Sequence, residues 1–141
     1  MKVTPQDQYV EVGLDNERYA IPIGDVREII RMMHITVLPR SKAYLKGVIH
    51  LRNQIIPVVS LRLRLGLQEH AATKASRIVV VNFRNELAGL IVDQVHRVSF
   101  IPDVGPPMDG YGRSGEGGGF GMARTDAGLV SILSLDRILG E

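Results

Sequence analysis

Chemistry is first suggested by Gly110-Tyr111-Gly112-Arg113-Ser114-Gly115, which spells G-x-G-x-x-G. That spacing cradles a pyrophosphate only where a strand leads into the glycines and a helix follows, because the helix N-terminus supplies the N–H donors. Here Pro106-Pro107 comes before and Gly117-Gly118-Gly119 after, so neither element is expected and no phosphate site is read. The four histidines, His34, His50, His70 and His96, offer no two at ligand spacing on one element, and cysteine is absent. No metal centre and no thiol chemistry is expected. None of the serines at 41, 60, 76, 99, 114, 131 and 134 lies in G-x-S-x-G, and the carboxylates show no pair suited to acid–base work. The sequence therefore points to a chain without catalytic residues or a cofactor.

Arg52 is a different matter. Residues 48–65 read VIHLRNQIIPVVSLRLRL, two apolar runs around a short polar tip that carries this one arginine. A guanidinium there could be a solvated turn residue, a nucleic-acid contact or part of a protein-docking surface. Its planar fork of donors suits either bracing a groove or gripping a partner.

The elements that must position Arg52 are short strands. YVEVGL, RYAIPI, REIIRMM, GVIHL, QIIPVVSL, RIVVVNF, LAGLIV, HRVSFI and LVSILSL are rich in Val and Ile and separated by turn residues. This is the pattern of a small β-barrel or sandwich. Asp15-Asn16 and Arg84-Asn85-Glu86 read as compact hairpin joints. Helix is expected only over residues 41–47 and in the last turn, DRILGE. Arg62 and Arg64 alternate with leucines and read as a solvated face. Residues 102–121, PDVGPPMDGYGRSGEGGGFG, read as a glycine-rich flexible loop with little to bury.

The strands are written twice. Tyr9-Val10-Glu11-Val12 aligns with Ile78-Val79-Val80-Val81, and the same offset lays residues 23–29 over residues 92–98. A slightly larger offset lays residues 55–65 over residues 129–139, bringing the Ser-Leu pairs at 60–61 and 134–135 together and setting Arg52 against Asp126. Two half-units, roughly 7–67 and 76–139, are each too small for a full core and could bury a face against one another. Because Arg52 meets an aspartate in this alignment, the arginine belongs to one half only, which favours a specific task.

Bulk composition agrees with an ordinary globular chain: 141 residues, 45% hydrophobic and 23% charged. Seventeen basic residues against fifteen acidic give a net charge of +2, too weak to demand a polyanion, and there is no basic run. Seven aromatics, not interleaved with basic residues on any strand, make a β-barrel nucleic-acid-binding module only the second reading. A hydrolase whose site assembles in space is the third. The segment MKVTPQDQ lacks a signal-peptide core, and no apolar stretch nears the roughly 20 residues needed to span a bilayer. A soluble, cytoplasmic protein without direct membrane insertion is expected.

The stretch GVIHLRNQIIPVVSLRLRLGL resembles the most recognisable segment of the CheW-like family, with Gly47, Val48, Leu51, Arg52, Pro57, Leu61, Arg62, Leu65, Gly66 and Leu67 at matching places. RYAIPIGDVREII, RIVVVNFRNELAGLIVDQVHRV and LVSILSLDRIL are similar to further stretches of the family in the same order, so the likeness runs from about Tyr9 to Leu139. The resemblance implies one domain over residues 7–139, mainly β, with two small five-stranded SH3-like barrels around a shared apolar core and little helix. It implies a non-enzymatic chemosensory adaptor that joins the cytoplasmic helical tip of methyl-accepting chemoreceptors to the regulatory domain of the CheA histidine kinase, recruited to membrane-associated arrays. Receptor and kinase docking would then fall on Val26, Glu28, Gly47, Arg52, Val95 and Val98. The chain departs from the family pattern at Asn53, where a glycine is usual, at Ser60, where an aspartate is usual, and in its glycine-rich loop.

Overall fold

The computed structural model describes residues 7–102, 104–105 and 119–140. Ten strands form two five-stranded sheets: β1 (Gln8–Leu14), β2 (Glu17–Pro22), β3 (Val26–Arg31), β4 (Leu45–Leu51), β5 (Gln54–Ser60), β6 (Arg77–Phe83), β7 (Glu86–Val92), β8 (Gln94–Phe100), β9 (Gly119–Thr125) and β10 (Gly128–Leu133). Two short helices, α1 (Leu61–Arg64) and α2 (Leu135–Leu139), each follow a strand. One sheet, here the central sheet, has the order β3-β6-β7-β5-β4; the other, the terminal sheet, has the order β8-β1-β2-β10-β9.

Tight turns set the hairpins. Arg52 and Asn53 have φ of 48° and 67°, and Arg84 and Asn85 have 52° and 66°. Two consecutive positive φ values make a type I′ turn, whose twist matches that of the strands it joins. Asparagine bears this conformation at little cost, so Asn53 can stand where a glycine is usual. Alternation along β1 sends Val10, Val12 and Leu14 into the shared core with Leu61, Leu65, Val79, Leu90 and Ile138, and turns Tyr9 and Glu11 to the opposite face. The two-sheet plan around a shared apolar core is thus present.

The repeat does not divide the molecule in the way its halves suggest. The central sheet takes β3, β4 and β5 from the first half and β6 and β7 from the second, and the terminal sheet takes β8, β9 and β10 with β1 and β2. Each sheet is joined across the halves by an antiparallel and a parallel ladder, β3 with β6 and β5 with β7 in one, β8 with β1 and β10 with β2 in the other. A cut between 67 and 76 would leave neither sheet whole. The contiguous units of residues 7–67 and 76–139 are repeat halves, not barrels.

Neither ladder closes, yet the edges meet at one point. Thr36, beyond β3, exchanges two backbone hydrogen bonds with Val48 on β4, at 2.8 and 2.9 Å. Gly105, beyond β8, does the same with Met122 on β9, at 2.7 and 3.0 Å. These bridges sit at corresponding places of the repeat. Gly47 explains why the first one forms: its φ is +143°, and a Cβ there would lie 2.0 Å from the Thr36 carbonyl oxygen. Its counterpart Gly121 would put a Cβ 2.5 Å from the Gly105 oxygen.

Three local expectations are corrected. Residues 41–47 are not helical, because Leu45 to Gly47 pair with β5 and a seven-residue helix ending in glycine has little to stabilise it alone. Leu61–Arg64 leaves the strand as α1, opened by Ser60, whose Oγ accepts from the Leu63 N–H at 3.1 Å. Ser134 opens α2 in the same way, at 3.4 Å from the Arg137 nitrogen, so the helical last turn stands. Within the glycine-rich stretch, β9 already begins at Gly119 and Gly105 is bonded; residues 103 and 106–118 lie outside the described residues.

Candidate docking face

The edge strands β3 and β8 carry the candidate residues. Val26, at the start of β3, and Val95, on β8, are half-buried and both pack on the shared core. Glu28 follows Val26 on β3, and its carboxylate takes two hydrogen bonds from Arg52, Nη1 to Oε2 at 2.5 Å and Nη2 to Oε1 at 2.9 Å. A forked pair of this kind fixes the orientation of both side chains. The Arg52 guanidinium, by this hydrogen bond above all, holds the Glu28 carboxyl below its ordinary range. Arg52 is 68% exposed and Glu28 27%, so the pair presents a cation on an anionic footing. Val98 is exposed on β8, as is Ile29 on β3. Gly47 is buried at the closing bridge, so its geometry gives it a place in the fold beneath this face.

The repeat hides a second pair that the sequence reading passed over. Asp126, opposite Arg52 in the alignment, accepts from Arg97, opposite Glu28, at 2.5 Å from Nη2 and 3.4 Å from Nη1. The signal was available: both positions reverse their charge between halves. Arg52 is therefore one member of a motif present in each half, with its polarity inverted.

Arg97 also reaches Glu11, whose side chain is wholly buried, at 3.3 Å. Burial pushes the Glu11 carboxyl up, but hydrogen bonds from Ser99 (2.5 Å), Arg18 (2.8 Å) and Arg97 outweigh it, and the group sits below its ordinary range.

Arg62 and Arg64 are not solvated. Arg62 is 7% exposed; its Nη1 donates to Asp15 at 2.8 Å and Asp93 at 2.9 Å, and its Nε to the Gln68 carbonyl at 2.6 Å. Arg64 lies over the Tyr44 ring at 4.7 Å and donates to the Ile138 and Arg137 carbonyls. Alternation with leucine reads as a strand face, whereas the helical turn after Ser60 sends these side chains to internal partners. Asp15, His70 and Asp93 bring possible ligand atoms within 4.8 Å of one another, but the two carboxylates already share the Arg62 guanidinium, which takes the place of a cation there.

The family model for the CheW-like domain matches residues 8–141. The chain is 30% identical over 134 residues to a chemotaxis protein CheW of Helicobacter pylori, covering 94% of this chain and 81% of that protein. It is 30% identical to a chemotaxis protein CheW of Thermotoga maritima, covering 91% and 84%. A crystal structure of the scaffolding protein TtCheW from Thermoanaerobacter tengcongensis superposes with a TM-score of 0.82 at 34% identity, covering 92% of this chain and 85% of that one. With the paired five-stranded sheets and the match along nearly its whole length, this chain belongs to the CheW-like domain family.

Proposed function

We propose that this protein is a non-enzymatic chemosensory scaffold that couples the helical cytoplasmic tip of a chemoreceptor to the regulatory domain of the CheA histidine kinase, and that it is held at receptor arrays in this way. The observation that carries the reading is the forked Glu28–Arg52 pair, which ties an exposed type I′ turn to β3, the edge strand that also carries half-buried Val26 and exposed Ile29. A preorganised charge next to apolar side chains is what recognition of an amphipathic helix requires: the stripe supplies area and the charge sets register. The curated relatives are called chemotaxis proteins and the similar solved structure a scaffolding protein, which supports the same class of work. Among the described residues no helix is long and apolar enough to cross a membrane.

Nucleic-acid binding gains no support. The two arginines that alternate on a sequence strand, Arg62 and Arg64, spend their donors inside the fold.

The test is Arg52→Ala. Arg52 is at an exposed tip, so the variant is expected to keep its thermal midpoint yet fail to form the ternary complex with a chemoreceptor tip fragment and the CheA regulatory domain. Wild-type complex formation by the variant, or no complex with the parent protein, would end this reading.

A further inference from the structure

Arginine faces arginine at one end of the central sheet. In the antiparallel register of β3 with β6, Arg31 lies directly opposite Arg77, so both side chains leave the same face. Like charges placed in this way repel and cost stability. The repeat supplies an internal control. The offset that lays Tyr9 over Ile78 matches Arg31 with Phe100 and Arg77 with Gln8, which are directly opposite in the ladder of β8 with β1 and carry no charge. The strand plan therefore needs no cation at either place. Protection of an open edge does not explain the pair either. Arg31 alone would discourage pairing at the edge strand β3, whereas Arg77 stands on β6, an inner strand.

A third cation joins them. Arg31, Lys74 and Arg77, with Met32, Thr73 and Ser76, line a depression of about 420 Å³ that has no carboxylate in its wall. Among the described residues none of the three cations has a carboxylate partner. Arg77 donates from Nη1 to the carbonyls of Lys74 and Ser76, at 2.8 Å each, which fixes its guanidinium against the turn. That turn uses its hydroxyls as acceptors. Ser76 Oγ takes the Thr73 N–H at 2.9 Å, and Thr73 Oγ1 takes the Ala75 N–H at 3.2 Å. Each hydroxyl keeps its own hydrogen to donate, and Ser76 is only 5% exposed.

We propose that this depression is a binding site for a phosphate-type oxyanion, either free or as the terminal phosphate of a small molecule. Two guanidinium groups, an ammonium and two hydroxyls around one small space are the donors such a tetrahedral anion takes. Arginine meets phosphate oxygens in pairs, and lysine serves as a point charge. An anion there would cancel the repulsion between Arg31 and Arg77 and tie the end of β3 to the turn that leads into β6. The inference stands apart from the docking function proposed above, because it needs only this chain.

The experiment titrates the full chain with orthophosphate, pyrophosphate and ATP by calorimetry at constant ionic strength, and records thermal midpoints beside each titration. Arg31→Gln and Lys74→Gln are compared with the parent and with Arg124→Gln, a control at an exposed arginine of β9 outside the depression. Arg77 is left intact because it holds the turn. The parent is expected to bind one anion per chain. Arg31→Gln and Lys74→Gln should each weaken binding by about tenfold, and Arg124→Gln should leave it unchanged. Without anion, Arg31→Gln should melt no lower than the parent, since it relieves a repulsion. Pyrophosphate bound as tightly as ATP identifies a free anion, and tighter binding of ATP identifies a nucleotide-like ligand; both support the site. No binding of any of the three, or equal binding by the parent and both variants, overturns the proposal. So does capture of a glutamate-rich peptide by a chain that binds no phosphate, because the cations would then serve an acidic protein. If Arg31→Gln lowers the midpoint, Lys74→Gln decides alone, and parental affinity in that variant overturns the site.

Discussion

The two sheets share one strand plan but fill their interiors differently. Inside the central sheet lie Ile49, Ile56, Val58, Ile78 and Val80, joined by Ile30, Met32, Met33, Ile35, Leu51 and Leu87. The corresponding places in the terminal sheet hold Ala123, Val130, Ile132, Tyr9 and Glu11. One sheet rests on branched aliphatic packing. The other gives up area and sets a buried carboxylate, two arginines and a serine in its place. Burial of apolar area contributes roughly 25 cal/mol per Å², whereas a buried ion network must first recover its own desolvation cost. The plan of the fold is therefore carried by pairing and turns, and stability is weighted toward the central sheet.

Truncating the aliphatic cores tests this weighting most strongly. Ile56→Ala should cost about 4 kcal/mol and its repeat partner Val130→Ala only about 2 kcal/mol, read from urea unfolding, because the larger side chain leaves the larger cavity. Equal losses would show that both interiors matter alike.

The next comparison uses a second pair of inverted ion contacts. Asp15 and Arg62 correspond in the repeat to Arg84 and Asp136, which meet at 3.1 Å. Arg62 is buried between two carboxylates, whereas the side chains of Arg84 and Asp136 are 65% and 73% exposed. Arg62→Ala should cost about 3 kcal/mol, because it strands partly buried carboxylates. Arg84→Ala should stay within about 0.5 kcal/mol, as exposed pairs do. The same contact would thus be structural in one half and nearly neutral in the other.

Glu11→Gln should cost about 2 kcal/mol at pH 7, less than Ile56→Ala or Arg62→Ala. The sign of its pH dependence follows from Glu11 lying below its ordinary range when folded. Its stabilisation is complete above the unfolded carboxyl value of about 4.3 and is lost as pH falls through the lower folded value. The gap between parent and Glu11→Gln should therefore close in acid; a gap independent of pH would mean that the carboxylate's charge is not what stabilises the sheet.

Much of the architecture was legible in the residues. Nine strands show as runs of Val and Ile between turn residues, and all nine form. The tenth, Gly119–Thr125, escaped because GFGMART lacks β-branched density and adjoins a glycine run; its strand character comes from its ladder with β10. The helix α1 escaped because Leu-Arg-Leu-Arg alternates like a strand, although Ser60 was a visible cap. The exchange of strands between halves could not be read, since the parallel ladders of β5 with β7 and β2 with β10 join segments far apart in sequence. Of the residues expected at a docking face, Glu28 and Arg52 form an ion pair, and Val26 and Val95 pack on the same core. The resemblance alone puts Gly47 at that face; its φ and its approach to Thr36, invisible in a sequence, put it at the bridge between β4 and Thr36.

The exchange of strands also bears on how the molecule is made. Of the ten strands, β1 and β2 precede all the others in the chain, but their outer neighbours are β8 and β10, so the ribbon they form has two open edges until those strands are added. Residues 26–92 supply every strand of the central sheet, which can assemble while the remaining strands are still being added. Vectorial synthesis would then finish the interior of the sequence before its ends, and the last strands to emerge would fold by capturing the first.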